Sequence, residues 1–178
     1  MILVIGQGLA GTLLALELRK AGVCCRVAEG GLGGSGSAVA AGILSPVTGK
    51  RLAKSWRWER FRECAEKVYR EWETLLEVEL FRDTRVLRLF QNEQERSLWK
   101  KKKSLPEYAG LLGESYAPGE AGPGLRDDCG SFEILQAGVL EVQRLVVRAR
   151  NLLEAERAYA PVTFSPASLE VQADSVSW

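Results

Sequence analysis

The apolar and polar positions at the start of the chain predict a strand, a helix and a second strand. Residues 2–5 form an apolar run that predicts the first strand. Residues 12–21 place leucines and alanines where one face of a helix would cover a sheet, and Gly22 is suited to end that helix. Residues 23–28 predict a second strand, which leads into Glu29. This order is typical of a parallel β-α-β unit.

A helical period dominates the next part of the chain. Residues 56–78 predict a long helix that begins after Ser55 as its cap. Its apolar positions recur every three or four residues and are Trp58, Phe61, Ala65, Val68, Trp72 and Leu75. We interpret this stripe as core, because aromatic side chains at this spacing more often pack inside a protein than line a ligand site.

The remaining pattern predicts shorter elements. Residues 85–90 alternate as in a strand, and Asn92 is placed to cap a helix that runs to Lys103. Residues 117–124 are rich in proline and glycine and predict a surface loop. The other expected elements are two strand segments within 131–142, a helix over 142–158, a buried strand at 161–164 and a closing hairpin within 169–178.

The first predicted turn carries a glycine pattern with a specific chemical use. Residues 6–11 read Gly-Gln-Gly-Leu-Ala-Gly, which is G-x-G-x-x-G between a strand and a helix. Gly6 permits the tight turn, Gly8 lets the backbone approach a pyrophosphate, and Gly11 lets the helix pack on the strand. The N–H groups near Leu9 and Ala10 would face the anion at the positive end of the helix dipole. The segment therefore predicts a dinucleotide-binding loop.

Glu29 is the candidate for the ribose contact. It lies eighteen residues beyond Gly11, close to where this fold places an acid that binds a ribose hydroxyl. The plain alternative is a solvated glutamate at the end of a strand. A carboxylate here disfavours a cofactor with a 2′-phosphate, because the two negative charges would repel.

Small residues follow the acid and indicate which dinucleotide binds. Residues 30–51 are rich in glycine, alanine and serine, so their backbone can approach a large planar ligand. With Gly6, Gly8, Gly11 and Glu29, the segment Ser37-x-x-Ala40-Ala41-Gly42-Ile43 resembles the D-amino-acid oxidase/glycine oxidase-like family of FAD-dependent oxidoreductases. The run Ser45–Arg51, followed by Ser55-Trp56, resembles a bacterial branch of that family.

This resemblance implies an α/β fold of two parts. Residues 1–54 and 140–178 would form a Rossmann-like FAD-binding domain with a parallel sheet, and residues 55–139 an inserted α+β region on the substrate side. Ser37, Ala41 and Gly42 would contact phosphate or the flavin. Val162 would bind adenine through its backbone, although an ordinary core valine remains an alternative. No catalytic residue is assigned.

The implied activity is oxidation of an amine or amino acid, with hydride transfer from a substrate C–H to flavin N5. The alternatives are a dinucleotide-binding module without redox turnover and flavin-dependent modification of the tRNA wobble uridine. Members of the resembling family continue with another parallel strand and most of a substrate sheet. We therefore expect a fragment or one half of a split protein, with a second chain completing the fold.

Composition narrows the remaining choices. With 24 basic and 23 acidic residues, nothing in the charge favours nucleic acid, and the run Lys100–Lys103 is interpreted as solvated surface. The absence of histidine excludes histidine bases and histidine metal ligands and predicts non-covalent FAD. The four cysteines have no metal-site spacing, so we expect no metal and a reducing, cytoplasmic location. No apolar run is long enough to predict a membrane partner.

Overall fold

The computed structural model describes residues 1–30 and 36–162, together with 165, 167, 170–172, 176 and 177. These form two compact units, one from residues 1–41 and 141–178 and the other from residues 42–140. The glycine-rich residues 31–35 and positions 163 and 164 of a predicted strand lie outside the described residues. Within the described part, no helix combines the length and apolar character that crossing a membrane requires.

Four helices and eleven short or medium strands make up the described fold. The helices are α1 (Leu9–Lys20), α2 (Trp58–Leu76), α3 (Glu93–Lys103) and α4 (Val142–Ala155). The strands are β1 (Ile2–Ile5), β2 (Cys25–Ala28), β3 (Ile43–Leu44), β4 (Val47–Thr48), β5 (Ala53–Lys54), β6 (Phe81–Leu89), β7 (Leu112–Tyr116), β8 (Ser131–Leu140), β9 (Tyr159–Ala160), β10 (Glu170–Val171) and β11 (Val176–Ser177).

The first unit contains a parallel sheet in the order β1-β2-β9. Helices α1 and α4 contact each other and pack on this sheet. Its core consists of Val4, Ala15, Val27 and Leu153. In α1, Thr12 and Leu16 are buried whereas Leu14 is exposed. The face of this helix that packs on the sheet therefore does not include every leucine. The parallel β1-α1-β2 arrangement confirms the predicted Rossmann-like α/β fold class.

The second unit contains an antiparallel sheet in the order β3-β8-β6, with β7 also paired to β8. Strands β4 and β5 form a separate hairpin. Phe132 on β8 has no exposed surface and stacks on Phe90, with the ring centroids 4.8 Å apart. Trp99 of α3 packs against both rings. This aromatic cluster shows that the second unit has a core of its own.

Helix α2 differs from its prediction at both its start and its face. Ser55 is not its cap; the residue before the helix is Arg57, which has a left-handed backbone with φ of 48°. The Ser55 hydroxyl instead donates to the carbonyl of Ser45 at 2.9 Å. Phe61 and Leu75 are about half exposed, while Tyr69 and Leu76 are buried. The buried stripe is therefore turned relative to the predicted one.

The strands predicted beyond residue 130 agree with the structure to different degrees. Residues 131–140 form one continuous strand, not two, because the irregularity is a bulge that leaves Gln136 with φ of 54°. The strand expected at 161–164 is replaced, within the described residues, by β9 at Tyr159–Ala160. The closing hairpin is confirmed by the antiparallel pair β10 and β11, while its turn at 173–175 lies outside the described residues.

Candidate dinucleotide site

Three predicted site residues lie side by side at the carboxyl edge of the parallel sheet. The Gly6 N–H donates to the Ala28 carbonyl at 2.8 Å, one residue before Glu29. The Glu29 N–H donates to Ala160 at 3.1 Å, and the Val162 N–H donates back to the Glu29 carbonyl at 3.1 Å. Parallel sheets of this type bind ligands beyond the carboxyl ends of their strands. The fold therefore places Gly6, Glu29 and Val162 at the expected edge.

The glycine loop has the close contacts that its spacing predicts. A Cβ atom on Gly11 would lie 2.0 Å from the Gly6 carbonyl oxygen, so α1 can start this close to β1 only with glycine there. A Cβ atom on Gly8 would lie 3.1 Å from the Ser37 Oγ. Gly6 has φ of 91°, a backbone region that glycine tolerates. Side chains are thus excluded at Gly11 and crowded at Gly8, whereas nothing lies within 4 Å of a Cβ atom added at Gly6. This open stretch of loop backbone, the cradle, fits a pyrophosphate.

The start of α1 presents donors to that cradle. The first intrahelical bond runs from the Thr12 N–H to the Gly8 carbonyl at 2.9 Å, so the N–H groups of Leu9 and Ala10 precede the helical ladder. The Leu9 N–H donates to the Ser37 Oγ at 2.8 Å. Ser37 lies in a short 3₁₀ turn over residues 36–38. The structure therefore brings Ser37, predicted to contact phosphate, to the helix end that would bind it.

Ala41 and Gly42 lie at the boundary of the two units. Ala41 is exposed at the end of the first segment of its unit. Gly42 belongs to the second unit, where it accepts a bond from the Leu140 N–H at 2.9 Å. A Cβ atom on Gly42 would lie 1.9 Å from the Leu140 carbonyl oxygen. Gly42 is thus required by strand packing, whatever ligand role it has.

Val162 is half-buried and its N–H is already engaged. That group also lies 2.9 Å from the Ala160 carbonyl, in addition to its bond with Glu29. In a hydrogen bond between adenine and the Val162 backbone, the acceptor would therefore be the Val162 carbonyl oxygen. This narrows the predicted contact to one of the two backbone groups.

Gln7 is a site residue that the sequence reasoning missed. It lies between the first two glycines of the loop and is 2% exposed. Its Nε2 donates to the Val146 carbonyl at 2.9 Å, and its Oε1 accepts from the Arg150 Nε at 2.7 Å. Its main-chain N–H donates to the Glu29 carboxylate at 2.7 Å. The variable position of the motif gave no signal for this, because both helix partners are about 140 residues away.

Tyr159 and Arg150 contact each other, and the charge of Glu29 acts on Tyr159. The Arg150 guanidinium lies 5.2 Å from the centre of the Tyr159 ring, within the range of a cation–π contact. Burial raises the pKa of Tyr159; the charge of Arg150 opposes the increase and the charges of Glu29 and Glu154 add to it. The Tyr159 hydroxyl therefore stays protonated at neutral pH and adds no negative charge near Glu29.

Two of the cysteines lie at the other end of the parallel sheet, where β2 begins. Cys24 and Cys25 line a cavity of about 470 Å³ at the amino-terminal end of the same sheet, beside the Arg19–Glu156 ion pair. Burial, followed by the neighbouring Cys24 and Glu156, raises the pKa of the Cys25 thiol. All four cysteines are free thiols. Among the described residues, no group of three or more histidine, cysteine or acidic side chains is arranged to hold a metal ion.

The lysine run is less solvated than predicted. The Lys102 Nζ donates to the Tyr108 hydroxyl at 2.5 Å, and the Lys103 Nζ donates to the Gly113 carbonyl at 2.6 Å. Lys103 also lies 4.9 Å from the centre of the Trp99 ring. Two of the four lysines therefore anchor α3 to its own unit, and the interpretation of the whole run as solvated surface is wrong for them.

Comparison with known structures shows the fold in larger proteins. Iminodiacetate oxidase from Chelativorans sp. BNC1 matches 99% of this chain with a TM-score of 0.74 at 19% identity, and the match covers 50% of that protein. Glycine oxidase from Geobacillus kaustophilus matches 89% with a TM-score of 0.67 at 19% identity, over 45% of its length. An L-amino acid deaminase from Proteus vulgaris matches 99% with a TM-score of 0.63 at 16% identity, over 48% of its length.

These matches extend over only part of each relative, so the chain spans about half the length of the solved structures to which it is similar. A comparison with curated proteins finds no match. The family comparison is decisive, because the model of the FAD dependent oxidoreductase family matches residues 1–160. The chain, with its glycine loop, its strand-end acid and its parallel sheet, belongs to the FAD dependent oxidoreductase (DAO) family.

Proposed function

We propose that this chain binds FAD without a covalent link and contributes it to an oxidoreductase that acts on amines or amino acids. The observation that carries the proposal is the shared edge of Gly6, Glu29 and Val162, with Ser37 at the start of α1. Dinucleotides bind parallel sheets of this type beyond the carboxyl ends of the strands, so this edge would hold the pyrophosphate at the glycine loop and a ribose at Glu29. The names of the relatives, oxidases of iminodiacetate and glycine, support the substrate class.

The residues have distinct roles in this proposal. The Gly6, Gly8 and Gly11 backbone holds the pyrophosphate close to the start of α1, where the Leu9 and Ala10 amides and the helix dipole favour negative charge. Glu29 accepts from a ribose hydroxyl, and the Val162 carbonyl faces adenine. Bound FAD would supply the redox chemistry by accepting a hydride from a substrate C–H.

The two compact units support the proposal that different parts of the chain bind the dinucleotide and the substrate. Their boundaries fall between residues 41 and 42 and between residues 140 and 141. We propose that the parallel unit, predicted as 1–54 and 140–178, holds the dinucleotide, and that the antiparallel unit, predicted as 55–139, belongs to the substrate side. Ala41 and Gly42, at the boundary, are the proposed flavin-side contacts.

A dinucleotide-binding module without turnover is the second candidate. It is favoured because the features that carry the proposal, the glycine loop and Glu29, concern binding of the dinucleotide alone. The flavin-dependent tRNA reaction has less support, since Lys102 and Lys103 bind groups of their own unit. We also propose a reducing, cytoplasmic location, which the four free thiols support.

The absorption spectrum of the purified chain tests the proposal. We expect a yellow protein with a flavin band, which releases intact FAD on denaturation because the cofactor is not covalently bound. A decrease of that band on addition of a small amine or amino acid, caused by reduction of the flavin, would indicate an oxidoreductase. An unchanged band would favour a dinucleotide-binding module without turnover. A colourless chain that takes up NAD but not FAD from an equimolar mixture would overturn the proposal.

A further inference from the structure

The buried Gln7 side chain connects the glycine loop to helix α4 at both ends of its amide. Its donor is bound to the Val146 carbonyl at 2.9 Å and its acceptor to Arg150 at 2.7 Å. A buried amide that lost either partner would leave a polar group without water, at a cost comparable to a lost hydrogen bond. The side chain is therefore held in one orientation, and with it the peptide plane of residue 7.

That peptide plane carries the N–H that binds Glu29. The distance from the Gln7 nitrogen to the Glu29 Oε2 is 2.7 Å, which is typical of a hydrogen bond to an ionised carboxylate. The Gln7 side chain fixes the direction of this N–H, and the N–H in turn fixes one carboxylate oxygen. The contacts of α4 therefore reach one oxygen of the Glu29 carboxylate through Gln7.

Arg150 is itself constrained, so it can act as the fixed end of this chain of contacts. Its guanidinium packs over the Tyr159 ring at 5.2 Å, while its Nε faces Gln7. Tyr159 belongs to β9, the strand that receives the Glu29 N–H through Ala160. Arg150, Gln7 and Glu29 therefore belong to one connected network within a single compact unit.

We propose that Gln7 and Arg150 are positioning residues that hold the Glu29 carboxylate where it accepts the 2′-hydroxyl of the adenosine ribose. The inference rests on the proposed function, because it assumes that a dinucleotide binds at this edge. Gln7 and Arg150 would act through Glu29 and would not touch the ligand themselves. Their effect is selective: it concerns the ribose hydroxyl and not the pyrophosphate, which the glycine loop and α1 hold.

Selectivity for the hydroxyl separates positioning from plain stability. The full chain, freed of any bound FAD, is titrated with ADP and with 2′-deoxy-ADP by calorimetry, and its melting in the same state is followed by circular dichroism. We expect the unmodified chain to prefer ADP by about 10- to 100-fold, the range for a hydrogen bond to a charged group. Arg150→Ala is expected to reduce this preference to less than about 3-fold while 2′-deoxy-ADP still binds as before.

Two further variants complete the design. Gln7→Met keeps the length of the side chain but removes both amide bonds, so it should lose the preference as Arg150→Ala does, and it decides the question if Arg150→Ala does not fold. Arg148→Ala removes an exposed arginine of the same helix and should keep the full preference.

The outcomes distinguish the inference from the proposal beneath it. An unmodified chain that binds neither FAD nor ADP overturns the proposed function, and this inference with it. A chain that binds ADP but shows no preference over 2′-deoxy-ADP overturns the inference alone. Retention of the preference by both Arg150→Ala and Gln7→Met would also overturn the inference alone. So would an equal loss of affinity for both nucleotides in these variants, since a purely structural role would have that result.

Discussion

At the scale of single residues, the glycines of the candidate site differ in what they are required for. Gly11 is required by contact, because any Cβ atom there would collide with the Gly6 carbonyl. Gly36, the residue directly before Ser37, has no atom within 4 Å of an added Cβ and an ordinary φ. The motif spacing identified the first case correctly, whereas composition alone would treat both glycines alike.

We therefore expect Gly11→Ala to destabilise the parallel unit by about 1–3 kcal/mol, the usual range for overpacking. It should also weaken FAD binding, since α1 would have to move away from β1. Urea unfolding followed by circular dichroism gives the stability, with Gly36→Ala as the matched control that should change it by less than about 0.5 kcal/mol. Equal effects of the two substitutions would contradict the argument.

A second residue-scale prediction concerns pH. Burial would raise the pKa of Glu73, but the N–H groups of Phe81 and Leu80 and the Arg70 guanidinium together lower it below its ordinary value. A lowered pKa in the folded state adds stability above the ordinary pKa of about 4.3, and this is lost as the pH falls through the folded value. Glu73→Gln should cost about 1 kcal/mol at pH 7.

The same substitution should leave less stability to be lost below about pH 4.3. Unfolding midpoints measured between pH 7 and pH 3 would show the difference between the two proteins shrinking with acid. Glu63→Gln, at an exposed position of the same helix, is the control and should leave the pH profile unchanged. A constant difference over the whole pH range would mean that the Glu73 charge is not responsible.

At the scale of elements, helix α3 was predicted well because its signals are local. The Asn92 Oδ1 accepts from the Glu95 N–H at 2.9 Å, as its position before the helix indicated. Glu95 is buried and accepts in return from the Gln91 N–H at 2.9 Å and from Arg88 at 2.5 Å. These reciprocal bonds satisfy donors at the helix start that would otherwise lack partners.

Asn92→Ala should therefore lower the free energy of unfolding by about 1 kcal/mol, the usual cost of a lost N-cap. Thermal melting followed by tryptophan fluorescence, to which the buried Trp99 contributes, would detect the change. Ser97→Ala, at an exposed position inside the same helix, should have little effect or stabilise slightly, because alanine favours helix. Similar losses in both variants would point to an unspecific effect on the helix.

Other elements show where local signals fail. Ser55 has the right chemistry for a cap, yet its hydroxyl is taken by Ser45, ten residues earlier, and α2 starts after Arg57. The sequence predicts two strand segments within 131–142, but Gly138 lies inside the continuous strand β8 and makes room for the Phe81 ring of the neighbouring strand. An added Cβ atom on Gly138 would approach that ring to 2.4 Å. In both cases a tertiary partner decides the outcome, and its identity is not encoded next to the residue.

At the scale of the whole molecule, the order of elements and the edge that bears Gly6 and Glu29 could be predicted, because both follow from the β-α-β pattern. The tie between Gln7 and Arg150 could not, since it joins residues 143 positions apart. The division into two compact units has a further physical consequence. Each unit has its own core, one around Leu153 and the other around Phe132.

Truncating either core should consequently act first on the unit that contains it. Leu153→Ala should cost about 2–5 kcal/mol and speed amide exchange in β1, α1 and β2, whereas Leu111→Ala should do so in β6 and β8. Hydrogen exchange with mass spectrometry resolves the two groups of peptides. If FAD binds the parallel unit, ligand at 100 times its Kd should restore about 2.7 kcal/mol to Leu153→Ala, visible as slower exchange in β1 and α1. Uniform acceleration throughout the chain in both variants would show that the two cores unfold together.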